Sequence, residues 1–193
     1  DVPLFLSSNV VQIDGTVGKL NNNGTIASLN QYQNGKVIAV GASGVVNTFT
    51  NSGTIKGVQN TYNYNYDFNS YNNGTIDNAG TINTLINTAE GKIQGTRAIS
   101  NQGTIDSLSN AGLIAFIPAE NNVYNGQNSA IFNKGTIGTL HNTGTIDGGE
   151  ADNYGSSGIY NQSTINAIVN DNKINGSFAG IYTYGTIGTI ENN

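Results

Sequence analysis

The chain has 193 residues, with 26 Gly, 10 Tyr, no Cys, no Met, no Trp and a formal net charge of −5. Charged residues make up only 10% of it, which argues against a nucleic-acid surface, since phosphate binding needs clustered Lys and Arg. No apolar run approaches the ~20 residues of a membrane-spanning helix, and the abundant Asn, Thr and Gly are poor helix formers.

In chain order, residues 1–18 come first, with Val10, Val11 and Ile13 as their apolar part. They read as an N-terminal cap or a first partial rung. A start at Asp1, without Met or an apolar leader, is expected of a processed or trimmed chain. Because residues 185–193 stop partway through a repeat, the expectation is an excerpt of a longer protein.

From residue 19 to 193 a phrase recurs. Asn22-Asn23-Gly24-Thr25-Ile26 is the first copy, and Asn51, Asn78, Asn101 and Asn133 each open another Asn-x-Gly-Thr-Ile. Asn161-Gln162-Ser163-Thr164-Ile165 and Thr183-Tyr184-Gly185-Thr186-Ile187 are close variants. The Asn-to-Asn steps of 29, 27, 23, 32 and 28 residues signal a solenoid. An apolar residue stands two places before the phrase (Leu20, Phe49, Ile76, Ile99, Ile131, Ile159, Ile181). Another stands three places after its Ile (Leu29, Val58, Leu85, Leu108, Leu140, Ile168, Ile190). A second set of asparagines follows at Asn60, Asn87, Asn110, Asn142, Asn170 and Asn192, with Gln31 in the first copy. A third apolar segment closes most units (Val37, Ile93, Ile114, Ile146, Ile174).

Short Ile-, Val- and Thr-rich segments broken by Gly read as strands. Three per unit, at this period, predict an all-β protein: a right-handed, three-sided parallel β-helix of about seven rungs. Right-handedness follows the general preference of parallel crossovers. Ile and Leu columns are expected inside, with the Thr before each Ile outside. Gly and Asn are assigned to corners for their tolerance of positive φ, and the corner asparagines to hydrogen-bonded ladders between rungs. One rung cannot stand alone. Four or five buried aliphatics contribute roughly 6–15 kcal/mol, against roughly 25–50 kcal/mol of backbone entropy for some 25 residues.

Absent cysteine has two readings: chance in a low-complexity repeat, or export of an unfolded chain. Tandem Asn-x-Gly-Thr-Ile repeats with few charges and no Cys resemble the passenger domains of Gram-negative autotransporters, the type V secreted adhesins of the pertactin-like and AIDA-like group. The resemblance covers about residues 15–193. It implies a β-helix displayed outside the cell that mediates adhesion, self-association or biofilm formation, with a host-cell or matrix protein or a glycan as partner and no cofactor. Two-partner-secreted haemagglutinins carry similar repeats, so the secretion route stays open.

Departures from the repeat are expected as side loops at about 39–47, 61–73, 115–129, 147–157 and 175–179. The most unusual, Tyr62-Asn63-Tyr64-Asn65-Tyr66-Asp67-Phe68 followed by Tyr71, places its aromatics on one side if extended. These, with Tyr124 and Tyr154 of later loops, are the candidate partner-binding residues, because exposed aromatics stack on sugars or anchor proteins. The competing reading is that the Tyr row covers the solenoid flank or pairs as an edge strand.

Asp147-Gly148-Gly149-Glu150-Ala151-Asp152 is the one local carboxylate cluster. Its spacing matches neither an EF-hand nor a calcium β-roll, and a solvated loop is the favoured reading. A polysaccharide-processing β-helix would need converging carboxylates. Asp77, Asp106 and Asp147 need not converge, and His141, the single histidine, reads as an exposed corner residue. An ice-binding solenoid would need flat Thr ranks. Thr25, Thr54, Thr81, Thr104, Thr136, Thr164 and Thr186 supply one rank, but Ala27, Lys56, Asn83, Asp106, Gly138, Asn166 and Gly188 make the other mixed.

Overall fold

The computed structural model describes residues 10–28, 36–57, 74–118, 128–149 and 155–193. These residues wind into coils. The first holds β1 (Val11–Ile13), β2 (Thr16–Asn22) and β3 (Thr25–Ala27), and the second β4 (Ile38–Val40), β5 (Val45–Asn51) and β6 (Thr54–Lys56). The third holds β7 (Ile76–Asn78), β8 (Thr81–Asn87) and β9 (Lys92–Gly95), and the fourth β10 (Arg97–Asn101), β11 (Thr104–Asn110) and β12 (Leu113–Phe116). The fifth holds β13 (Ser129–Asn133), β14 (Thr136–Asn142) and β15 (Thr145–Asp147). The sixth holds β16 (Ser157–Asn161), β17 (Thr164–Asn170) and β18 (Lys173–Asn175), and the seventh β19 (Ala179–Thr183) and β20 (Thr186–Asn192).

Each strand pairs in parallel with its counterpart in the next coil. The first sheet runs β1-β4-β7-β10-β13-β16-β19, the second β2-β5-β8-β11-β14-β17-β20, and the third β3-β6-β9-β12-β15-β18. The chain is thus a three-sided parallel β-helix of about seven rungs.

Four aliphatic columns fill the interior. Ile38, Ile76, Ile99, Ile131 and Ile159 come from the first sheet, and Ile55, Ile93, Ile114 and Ile146 from the third; all are fully buried. The second sheet gives two columns, one through Val46, Ile82, Ile105, Ile137 and Ile165, the other through Phe49, Leu85, Leu108, Leu140 and Ile168. Strict alternation would place Ile105 and Leu108, three residues apart, on opposite faces. The strand bends between them: the register runs Ile105↔Ile137 then Ser107↔Thr139, passing over Asp106 and Gly138. Both apolar residues therefore point inward. Removing one methyl with Ile137→Val should cost about 0.5–1.5 kcal/mol, read as a lower urea midpoint with an unchanged slope.

The asparagines form two ladders, and the sequence reading merged them. In the first sheet's ladder, Asn78 donates its side-chain amide to Asn101 Oδ1, Asn101 to Asn133 and Asn133 to Asn161, each at 2.8 Å. Asn161 then donates to Thr183 Oγ1 at 3.1 Å. The second ladder runs Asn22, Asn51, Asn87, Asn110, Asn142, Asn170, Asn192, with steps of 2.7–2.8 Å. Asn22 and Asn51 therefore stand with Asn87, not with Asn78, and Leu20 and Phe49 stand with Leu85 rather than Ile76. Thr25 and Thr54 likewise lie in the third sheet, apart from Thr81, Thr104, Thr136, Thr164 and Thr186 in the second. Both corners need the same chemistry, so the same phrase serves either. Asn60 lies outside the described residues.

The reason for Gly at these corners also differs from expectation. Among the described residues only Gly149 (φ 75) and Gly155 (φ 63) have positive φ, and no other residue type does. The corner glycines are held by stacking instead. A Cβ on Gly103 would fall on the carbonyl oxygen of Gly80, and one on Gly135 on that of Gly103. Nor do the corner asparagines need positive φ; each closes its strand, and Asn101 bonds its own turn at Gly103 O (3.3 Å) and the next coil at Thr136 O (3.0 Å).

Strand positions revise the loop boundaries. Residues 39–47 are coil: β4 and β5 are joined by a turn in which Gly44 N donates to Gly41 O at 2.8 Å. Ala115, Phe116 and Ser129 belong to strands, as do Asp147, Ser157, Asn175 and Ala179. A break in the phrase is not a break in the coil. With the phase corrected, the long connections 28–37, 57–75, 117–128 and 148–156 all join a third-sheet strand to the next first-sheet strand. Residues 61–73 lie outside the described residues; the strands that bracket them, β6 and β7, belong to the third and the first sheet.

Candidate binding face

The inner strands of the first sheet are buried on both faces, as the continuous burial of β10, β13 and β16 records. Its outward column runs Asp77, Ser100, Phe132, Tyr160, Tyr182. Phe132 is fully buried although it points away from the interior. Arg97 lays its guanidinium 3.9 Å from the Phe132 ring centre, and the Lys134 ammonium sits at 5.2 Å, both within cation–π range. Lys36 pairs with Asp77 at 2.6 Å. Burial pushes the Arg97 guanidinium down to about 10, against the opposing pull of Asp77 and Tyr160. Burial, and then Arg97, lower Lys134. This half of the column is a packed polar and aromatic seam.

The column continues as stacked rings into the following coils. Phe132 stacks on Tyr160 (5.5 Å, 22°), and Tyr160 meets Tyr182 at 5.3 Å. Tyr182 then meets Phe178 edge-on (5.0 Å, 90°) and Tyr184 (5.1 Å, 70°). Tyr160 is 5% exposed, while Phe178 is 62% and Tyr184 72% exposed. The Tyr182 hydroxyl donates to that of Tyr184 at 2.8 Å, and Gln162 Nε2 donates to Tyr160 Oη at 3.2 Å. Aromatic rings thus stack from coil to coil along this column. Its pattern is visible in sequence as the residue before the corner: Phe132-Asn133, Tyr160-Asn161, Tyr182-Thr183. In the sequence it is overshadowed by the denser aromatics of the inserted segments.

The bond to Tyr184 raises the Tyr182 phenol above its ordinary value, since ionisation would remove the donated proton. A raised folded value means that this bond stabilises the fold below the ordinary phenol range and is lost as pH rises through the folded value. An ultraviolet titration should therefore show one tyrosine lagging behind the rest, and Tyr184→Phe should remove part of the lag.

Other sequence candidates are placed as follows. Tyr62, Tyr64, Tyr66, Phe68, Tyr71, Tyr124 and Tyr154 lie outside the described residues. Asp77 is on the first sheet, Asp106 on the outer face of the second and Asp147 at the end of a third-sheet strand, so three sheets separate them. Asp147 Oδ1 accepts from Gly149 N (2.8 Å) and Asn175 Nδ2 (2.9 Å), which ties that carboxylate into a corner. His141 Nε2 lies 2.6 Å from Asp171 Oδ2 in an exposed pair. Hydrogen bonds from Asn193 and His141 hold the Asp171 carboxyl below its usual range. On the second sheet's outer face the Thr rank has a neighbour in Thr48, Thr84, Ser107, Thr139 and Thr189, interrupted by Ala167. The mixed residues Asn83, Asp106, Gly138, Asn166 and Gly188 lie between these ranks, while Ala27 and Lys56 belong to the third sheet.

No protein-family model, curated protein or solved structure matches the chain.

Proposed function

We propose that this chain is a non-enzymatic binding solenoid, part of an adhesin displayed outside a bacterial cell in the manner of an autotransporter passenger. It attaches to a host-cell or matrix protein or glycan, and neighbouring solenoids associate with one another. The observation that carries this reading is that the widest sequence gaps between successive strands, β3 to β4, β6 to β7, β12 to β13 and β15 to β16, all join the third sheet to the first. Segments inserted at one place in a repeat array build one decorated edge on a rigid rod, and binding residues concentrate on such segments. The low charge of the chain favours lateral association, since little like-charge repulsion opposes it. The separation of Asp77, Asp106 and Asp147 onto three sheets weighs against a polysaccharide-cleaving site built from them.

The test is attachment of beads coated with residues 1–193 to cultured epithelial cells and to matrix-coated surfaces, alongside light scattering of the free protein. Attachment above albumin-coated beads, or concentration-dependent association, is the expected result. A strictly monomeric protein that attaches to nothing and shortens a polysaccharide would replace this reading with the enzymatic one.

A further inference from the structure

Resting on the proposal that neighbouring solenoids associate, we infer that they do so through the outer face of the second sheet, packed against the same face of a second copy of this chain. Topology leaves this face clear. Every connection at either edge of the second sheet spans only two or four residues. The widest gaps between successive strands, by contrast, all join the third sheet to the first. In a three-sided coil that corner is the one the second sheet does not border. Tight turns therefore flank this sheet on both sides, and a flat partner can approach it.

The surface is periodic in two directions. Thr104, Thr136 and Thr164 stand in one outward column, and Thr84, Ser107 and Thr139 in the next. Rungs recur about every 4.8 Å. A partner meets each rung alike only if its own side chains recur at that spacing, and the same sheet of another copy does. Two copies related by a two-fold axis then present identical patches to each other. The seven strands of this sheet, each of seven residues, cover roughly 34 Å by 23 Å, about 780 Å². That is about one side of a standard stable interface.

Charge separates this face from the other two. The strands of the second sheet hold four ionisable residues, Lys19, Asp106, His141 and Glu191, each on a different coil. Little like-charge repulsion opposes pairing of the face with itself. The third sheet instead exposes Lys56, Lys92 and Lys173, and a copy set against it would bring lysines together. The inner strands of the first sheet are already covered on their outer side. Short Thr and Ser side chains also lose less rotamer freedom on contact than Lys or Glu.

The experiment follows the whole chain by sedimentation equilibrium over a range of concentrations. A reversible monomer–dimer equilibrium is expected, with a dissociation constant raised about tenfold or more in Thr139→Arg, which buries an unpaired cation at the centre of the contact. Thr139 is exposed, and an unchanged circular dichroism spectrum and urea midpoint verify the fold. Ser107→Arg, one coil away in the same column, should act alike. Gln94→Arg makes the same charge change on the third sheet and should leave the equilibrium as it is. A chain that stays monomeric into the millimolar range overturns the inference, and so does a dimer that both second-sheet variants leave intact. If the chain is monomeric while coated beads still attach to cells, this interface falls and the adhesive reading stands. If Thr139→Arg instead abolishes bead attachment by a monomeric chain, the face belongs to a host or matrix partner and not to a second copy.

Discussion

Asn101→Ala should lower the unfolding free energy by about 2–5 kcal/mol, and Asn78→Ala should cost roughly 1–3 kcal/mol less. The two residues occupy the same ladder and are both fully buried. They differ in what stands behind them. Asn101 takes a hydrogen bond from Asn78 and gives one to Asn133, both at 2.8 Å. Its loss strands the Asn133 oxygen without that donor, in a site that water does not reach. Asn78 opens its ladder. The residue one coil earlier is Val40, which has no donor to offer, and Asn78 Oδ1 is already buried without a partner. Asn78→Ala removes one orphan acceptor while creating another at Asn101, so the number of stranded groups is unchanged. Urea denaturation of the two variants, with hydrogen exchange to locate the loosened coils, checks the difference. Equal losses would mean that the amide column does not act as a directional chain of bonds.

The same ladders show what the sequence makes legible. Period, strand type and the identity of inward residues follow directly from the spacing of Ile, Leu and Asn. The phase does not. Asn51-Ser52-Gly53-Thr54-Ile55 and Asn78-Ala79-Gly80-Thr81-Ile82 are the same phrase, yet one turns from the second sheet to the third and the other from the first to the second. Each corner asks for an amide that bonds along the stack, a residue without Cβ where coils touch, and a β-branched start to the next strand. Identical demands give identical words. The signal that separates them is Asn142-Thr143-Gly144-Thr145-Ile146, which repeats the phrase within the coil that already used it at Asn133. The aromatic cluster was hidden for another reason. Phe132, Tyr160 and Tyr182 are spread over three coils, and only the register brings them to about 5 Å of one another.

The glycines of these corners supply the second large effect, and its sign depends on position in the stack. Gly103→Ala should destabilise the protein by about 1–3 kcal/mol through overpacking. Gly24→Ala, in the same phrase, should stabilise it by about 0.4–1 kcal/mol by narrowing the unfolded ensemble. Among the described residues, a Cβ on Gly24 meets nothing within 4 Å. On Gly103 it would strike the Gly80 carbonyl oxygen and lie 2.7 Å from the Ala79 carbonyl carbon. Ser163 shows how a side chain is tolerated in this column. At the glycine corner Gly135 N and Thr136 N donate to Asn101 O (3.1 Å) and Gly103 O (2.9 Å). At the serine corner, Ser163 N turns to Asn161 Oδ1 at 3.3 Å and Thr164 N reaches Gly135 O at 3.2 Å. The corner yields by loosening its bonds to the previous coil, and Gly103→Ala should yield in the same way. Thermal and urea unfolding of the pair decides the matter. Equal effects at Gly24 and Gly103 would show that glycine is required by backbone conformation, whereas opposite signs would show that it is required by the close approach of one coil to the next.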